Sequence, residues 1–388
     1  MGNRSGHAWP VFLAFLAMGF GDAVGPFVSL AREQFHLSNF AAQLVPFAGF
    51  LMFGLLSVPM GVYQDKVGKK AVLRGGLGLM MAGLAIPTAV GLSTFLMFLI
   101  TIVLLGAGAA ILQVAGNPIM RDVSPEGKYA RNLSLGQFVK AIGSLSGPLI
   151  PVAAARYLGA SWSVIFPIYA IAVAVTWLAT LLIRVEAPRE TAHPPATLGS
   201  SLALLKNGYV ALMVLAIFLY VGAEVSVSSG IPLYLKDRFG VDINRIGLLG
   251  TGLFFLALTV GRFSGGVILN WMKPARFFVW TSALSIVGLA GMFVPDRSVA
   301  IGAFVLIGLG FANIFPLVFS LVVESLPEQS NALSGLMVTA IIGGAVLPPL
   351  MGLVADTLHS VPLSFVVPLG ALAYIAWTAL LNLRRHAA

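Results

Sequence analysis

Two acids, Asp22 and Glu224, and one base, Lys140, stand inside stretches that are otherwise uncharged, and Gln113 lies at comparable depth in another such stretch. Side chains of these types take up and release protons, coordinate a monovalent cation, or pair with one another. Asp22 is about 14 residues into its apolar stretch, which at about 1.5 Å per residue is near the middle of a bilayer. Lys140, in LGQFVKAIGSL, is too deep for its stem to carry the ammonium comfortably to an interface. The sequence therefore favours a pair between Lys140 and Asp22. An ammonium there competes with Na⁺ for the same carboxylate oxygens. Two cycles stay open: one linked to protons through the pair, and one with no coupling ion. Glu224 is either a second coupling group or a hydrogen-bonded structural acid. Arg262 reads as a tie between helix ends and loops.

No catalytic set accompanies these groups. The five histidines, His7, His36, His193, His359 and His386, fall in termini or connections without the paired spacing of a metal site. Cysteine is absent, which excludes a thiolate nucleophile or a disulfide framework. No glycine-rich loop ends in Gly-Lys-Ser/Thr, so no nucleotide-driven motor is encoded. The expectation is a protein that is not an enzyme and has no cofactor beyond a coupling H⁺ or Na⁺.

The elements that must position the polar residues follow from composition. Of 388 residues, 58% are hydrophobic and 10% charged, and the mean hydropathy is +0.95. A soluble domain carries about 25% charged residues, so most of this surface faces lipid. The net charge of +9 fits basic loops beside a membrane and, without interleaved aromatics, no nucleic acid. Segments of about 20 apolar residues span a bilayer. Twelve are predicted, centred near Phe15, Phe50, Met81, Leu105, Ser144, Ala172, Phe218, Leu256, Ser285, Phe311, Ile342 and Ala373. MGNRSGH leads into the first without a small-residue cleavage site, so that segment reads as a membrane helix and not as a signal peptide. Residues 186–206, charged and Pro-rich, separate an N-terminal bundle, 1–185, from a C-terminal bundle, 207–388. With the N-terminus inside, sixteen Lys and Arg residues fall on inner loops and ends, six on outer ones, and only Lys140 within a span. That bias places both termini in the cytoplasm.

The two bundles repeat one another. IGSLSGPLIP from Ile142 aligns with IGGAVLPPLM from Ile342, and Asp22 in the first segment corresponds to Glu224 in the seventh. Parallel repeats of six helices build a large class of secondary transporters. After the second segment comes GVYQDKVGKKAVL, Gly61 to Leu73. It resembles the loop signature of the major facilitator superfamily, Gly-x-x-x-Asp-x-x-Gly-Arg/Lys-Arg/Lys. In it Gly61 and Gly68 permit a tight turn, Asp65 caps a helix end or meets a cation, and Lys69 and Lys70 hold the loop inside. The corresponding GVILNWMK from Gly266 has Asn270 in place of the acid.

Longer strings point to one branch: YVGAEVSVSSG from Tyr220, VGRFSGG from Val260, ANIFP from Ala312, AIIGGAVLPPLMGLVAD from Ala340 and LQVAGNP from Leu112. Together they resemble the fucose permease-like family of sugar symporters, across nearly the whole chain. The resemblance implies twelve helices in two pseudo-symmetric bundles, a bacterial cytoplasmic (inner) membrane, a monomer, and cation-driven monosaccharide uptake by alternating access. It places Asp22 on the family's helix-one acid. Gln113 stands where the fucose permease has its second acid, so a two-acid proton relay does not carry over. A sugar site needs convergent amides and hydroxyls, because each sugar hydroxyl both donates and accepts. Gln43, Gln113, Asn117, Gln137, Ser226, Ser229 and Asn313 qualify by depth. Asn117 and Asn313 have a second reading: each lies just before a proline, Pro118 or Pro316, and its amide could satisfy the carbonyl that proline frees. Trp162, Trp280 and Trp377, near span ends, read as interfacial anchors. A sugar uniporter and an exporter of small amphipathic compounds remain as alternatives, since a fold alone does not fix function.

Overall fold

A computed structural model describes residues 9–37, 41, 44–183, 198–241 and 248–385. Among these residues the chain is helical, with no strand. The main rods, in order, are α1 in two segments (Trp9–Asp22 and Val24–Gln34), α2 (Leu44–Val67), α3 (Lys69–Val90), α4 (Phe95–Asp122), α5 (Tyr129–Ala153) and α6 (Trp162–Leu182). They continue as α7 (Gly208–Phe239), α8 (Leu248–Ile268), α9 (Pro274–Gly291), α10 (Arg297–Ser325), α11 (Ala332–Leu358) and α12 (Val361–Arg385). Each predicted segment centre lies within the corresponding rod. Nine of them, all but α1, α5 and α9, are long and apolar enough to cross a membrane. In α5 the polar residues Arg131, Asn132, Gln137 and Lys140 dilute the apolar run. The molecule is an all-α, multi-pass membrane protein.

Prolines account for the irregularities that matter. Pro26 has no N–H to offer the carbonyl of Asp22, four residues back, and α1 is interrupted at Ala23. The acid therefore sits at a helix break. In α10 the turn at Ala312 and Asn313 precedes Pro316 by four and three residues, and divides Arg297–Phe311 from Ile314–Ser325.

Contacts group the chain into two compact units: Met1–Tyr129 with Val139–Leu205 and Leu326–Thr339, and Ala130–Phe138 with Lys206–Ser325 and Ala340–Ala388. The start of α5 thus clusters with helices of the second half of the sequence, and the start of α11 with helices of the first. In the first unit a short helix, Leu198–Ala203, packs on α2 and α11.

The repeat seen in sequence is also a repeat in packing. In the first unit, a Cβ added at Gly143 of α5 would collide with the Leu16 carbonyl of α1. In the second, a Cβ at Gly343 of α11 would collide with the Phe218 carbonyl of α7. Glycine at both places lets two backbones touch, the means by which small residues bring membrane helices together. Gly19 completes the first contact, against the backbone of Lys140 to Ser144. One turn along each helix from this contact stand Asp22 and Lys140, on the shared face.

Candidate functional site

The close approach of α1 and α5 brings the Lys140 Nζ to 2.8 Å from Asp22 Oδ2. The same ammonium donates to Gln113 Oε1 of α4 at 2.9 Å. The side chains of Lys140 and Asp22 are 7% and 23% exposed, and Gln113 is buried. The pairing expected from the sequence is present, with Gln113 as a second acceptor. Alongside, Phe20 of α1 stacks on Tyr169 of α6 with ring centroids 3.9 Å apart, and the Tyr169 hydroxyl shares a 2.8 Å hydrogen bond with Ser146.

The second unit holds another acid and cation. Arg262 of α8 has Nη2 3.6 Å from Glu224 Oε1 of α7. Its Nε donates to the Ala312 carbonyl of α10 at 3.3 Å, and its Nη1 to the Gln137 carbonyl of α5, also at 3.3 Å. Arg262 is buried. It therefore ties the interiors of four helices, where the sequence reading had it tying ends and loops. Pro316 explains one of its bonds, because a proline leaves the carbonyl four residues earlier without its N–H.

The same device recurs. Pro118 frees the Val114 carbonyl of α4, and Ser334 Oγ of α11 donates to it at 3.0 Å. Pro232 frees the Ser228 carbonyl of α7, and Thr251 Oγ1 of α8 donates to it at 3.1 Å. The freed carbonyls are thus served by neighbouring helices and not by the local asparagines. Among the described residues, Asn117 has no hydrogen-bond partner for either amide atom, although it is fully buried. Asn313 Nδ2 donates across to the Gly261 carbonyl of α8 at 2.7 Å, and its Oδ1 has no partner among the described residues. Gln137 Nε2 and Ser226 Oγ are likewise buried without one. Ser229 differs, since its hydroxyl donates to the Val225 carbonyl of its own helix at 2.7 Å. Gln43 lies outside the described residues. Buried polar atoms nearly always have partners, so Asn117, Gln137, Ser226 and the Asn313 oxygen are unspent hydrogen-bonding capacity, as are Gln64 and Ser134 among the described residues.

The loop signature resolves into two different glycines. Gly68 is the turn, with φ of +89° between α2 and α3. Gly61, expected in that turn, is buried in α2, where it contacts Gly335 of α11 at a place too close for a side chain. The helix runs on to Val67, because nothing between the two glycines breaks it. Asp65 is half-buried in the last turn of α2, with an interaction partner of its own. Lys69 pairs with Asp122 of α4 at 2.6 Å, and Lys70 caps the end of α6 through the carbonyls of Leu181 and Ile183 at 3.1 and 2.8 Å. Trp280 and Trp377 face outward at 64% and 48% exposure. Trp162 is held by Gln34, to which its Nε1 donates at 2.8 Å. All three fit anchoring better than ligand stacking. His36 and His359 adopt left-handed backbone conformations in connections, φ +52° and +48°. Among the described residues no three metal-binding side chains converge.

The chain is similar to known proteins along most of its length. The Major Facilitator Superfamily profile matches residues 11–341. A glucose/galactose transporter of Brucella abortus is 28% identical over 367 residues, covering 90% of this chain and 87% of that protein. A putative glucose/galactose transporter of Helicobacter pylori is 28% identical over 386 residues, 94% of each chain. The L-fucose-proton symporter of Escherichia coli is 26% identical over 377 residues, 87% of this chain and 84% of the symporter. Among solved structures, the superfamily transporter FucP in its outward conformation superposes with a TM-score of 0.80 at 23% identity, over 96% of this chain and 98% of the other.

Proposed function

The chain belongs to the Major Facilitator Superfamily, a transporter and not an enzyme, and from that premise we propose that it imports a monosaccharide of the glucose, galactose or fucose type by alternating access, coupled to a cation gradient. The observation that carries the coupling is Lys140, buried between Asp22 and Gln113. A charge at mid-bilayer costs about 2.5–3.5 kcal/mol on insertion scales, and pairing offsets much of that. A pair whose acid can be neutralised by one proton is therefore a two-state element, and such elements are what gradients act on. The substrate class is supported by the relatives' names and by the unspent amides of Asn117, Gln137 and Asn313, with Gln113 one turn from Asn117 on α4 and Ser226 buried on α7. Amides suit hydroxyls, whereas an amphipathic substrate calls for a wide aromatic lining.

In this reading the carrier is a monomer in a bacterial inner membrane, and the distribution of Lys and Arg supports both termini and residues 186–206 in the cytoplasm. The decisive experiment is uptake and counterflow of labelled glucose, galactose and fucose in proteoliposomes, with and without ion gradients. Failure of all three sugars in counterflow would remove the sugar reading. Topology is open to a clean test, because the chain has no cysteine of its own. Single cysteines at Lys66 and Lys206 should be shielded from an impermeant maleimide in intact cells, and one at Arg156 should react. Labelling at Lys66 and Lys206 from outside overturns the orientation.

A further inference from the structure

We infer that the ε-ammonium of Lys140 is a built-in counter-cation that keeps Na⁺ out of the Asp22 site, so that the driving ion is the proton. The inference rests on the transport reading above and specifies its ion. Two of the oxygens that a cation at Asp22 would seek already accept from the ammonium. Nζ lies 2.8 Å from Asp22 Oδ2 and 2.9 Å from Gln113 Oε1, hydrogen-bond distances at which it occupies the place a cation would take between the two oxygens. A Na⁺ entering beside a fixed ammonium meets like charge at short range in a medium that screens poorly. A proton has no such difficulty. It bonds to one carboxylate oxygen, needs no coordination shell, and removes the negative charge that held Lys140.

The rest of the surroundings fit a single exchangeable proton. Four helices pack against α1 here, and α2 meets it through Gly49 beside Val24. Among the described residues, α5 presents Lys140, α4 presents the uncharged Gln113, and α6 presents Tyr169, whose hydroxyl is engaged with Ser146. Among the described residues named here, Asp22 is the one acid. Gln113 then has a positioning role that explains why an amide suffices. When Asp22 is protonated, the Gln113 carbonyl still accepts from the ammonium, so the buried charge keeps one partner. An acid at position 113 would hold Lys140 permanently, and the pair with Asp22 would not re-form.

The test uses the purified full-length carrier. Sugar counterflow in proteoliposomes first establishes which sugar is carried. Initial uptake is then compared in Na⁺ and in choline at fixed pH, and thermal unfolding in detergent is followed as Na⁺ is titrated without sugar. The wild type should be indifferent to Na⁺ in both assays, and an inward pH gradient should drive accumulation. Lys140→Gln, which empties the cation position and leaves the Asp22 carboxyl in place, should become responsive to Na⁺. Its sugar affinity or initial rate should rise about ten-fold, an ordinary magnitude for coupled binding, with a Na⁺-dependent shift in unfolding temperature. Adding Asp22→Asn should abolish that response. Lys140→Arg, which keeps the charge, should stay indifferent. The inference is overturned if Na⁺ stimulates or stabilises the wild type or Lys140→Arg. It is equally overturned if Lys140→Gln folds and exchanges sugar but ignores Na⁺. Should Lys140→Gln not fold, the wild-type and Lys140→Arg arms decide alone. The unfolding assay needs no sugar, so a wrong substrate assignment leaves the ion question answered.

Discussion

The first unit neutralises its buried acid with a lysine and the second with an arginine, and the two cations are held differently. Lys140 is bound by two side chains, Asp22 and Gln113. Arg262 faces Glu224 at the longer distance of 3.6 Å and is held besides by two backbone carbonyls. Backbone carbonyls neither titrate nor swing away, and a guanidinium fork fits several fixed acceptors at once. Protonating the acid releases a lysine held in the first way, but leaves an arginine held in the second where it was. The two acids occupy equivalent places in the repeat, yet only the first is arranged to let go. Pseudo-symmetry is kept in the packing of Gly143 and Gly343 and lost in the chemistry.

Arg262→Gln gives the widest expected separation between the two sites. It removes the guanidinium from Glu224 and two carbonyls, and loss of one partner of a buried pair costs about 3–5 kcal/mol. Thermal unfolding should show a collapse in stability that Arg262→Lys only partly restores, because an ammonium cannot reproduce the fork. Full stability in Arg262→Gln would mean that the second pair is no clamp. Next in size are Asp22→Asn and Lys140→Gln, singly and together. Each alone should abolish accumulation driven by a proton gradient, while the double variant recovers folding and exchange with a coupling energy of about 0.5–3 kcal/mol. Uphill uptake by the double variant would place coupling elsewhere.

Alanine at Asn117 and at Asn313 sharpens the comparison from the ligand side. Both should weaken sugar binding by about 1–3 kcal/mol. Only Asn313→Ala should also lower stability, by about 1 kcal/mol, since only that side chain bonds another helix. Equal sugar affinity in both variants and wild type, measured by titration, removes these amides from the site. The smallest effect is expected for Thr251→Ala. Its loss leaves the Ser228 carbonyl without a donor, for about 1 kcal/mol in unfolding, with transport intact.

What the sequence disclosed follows from cost. A charge in an apolar run is expensive wherever it points, so Asp22, Lys140 and Glu224 declare themselves without a structure, and a span of given length fixes the helices around them. Hydroxyls are cheap and give no such signal. Ser334 and Thr251 were not legible, because a helical Ser or Thr most often bonds its own preceding turn. The available hint was the prolines, which mark the acceptors at Val114, Ser228 and Ala312 but not the donors. The asparagines beside Pro118 and Pro316 were the nearest donors in sequence, and the structure supplies others from across the helix interfaces. Gly61 was read as a turn residue because the motif joins it to Gly68. A glycine that ends a helix and one that admits a neighbouring backbone are indistinguishable as letters.

The bond from Ser334 to Val114 has a consequence for how the protein is made. Its two ends are 220 residues apart. At a synthesis rate of about 5–20 residues per second, roughly 10–40 s separate the emergence of α4 from that of its donor. Throughout that interval the ribosome holds a chain whose fourth helix has entered the membrane with a carbonyl that no other part of it yet serves. The first six helices, expressed alone, would stay in that condition indefinitely, and quality-control proteases should clear them faster than the complete chain.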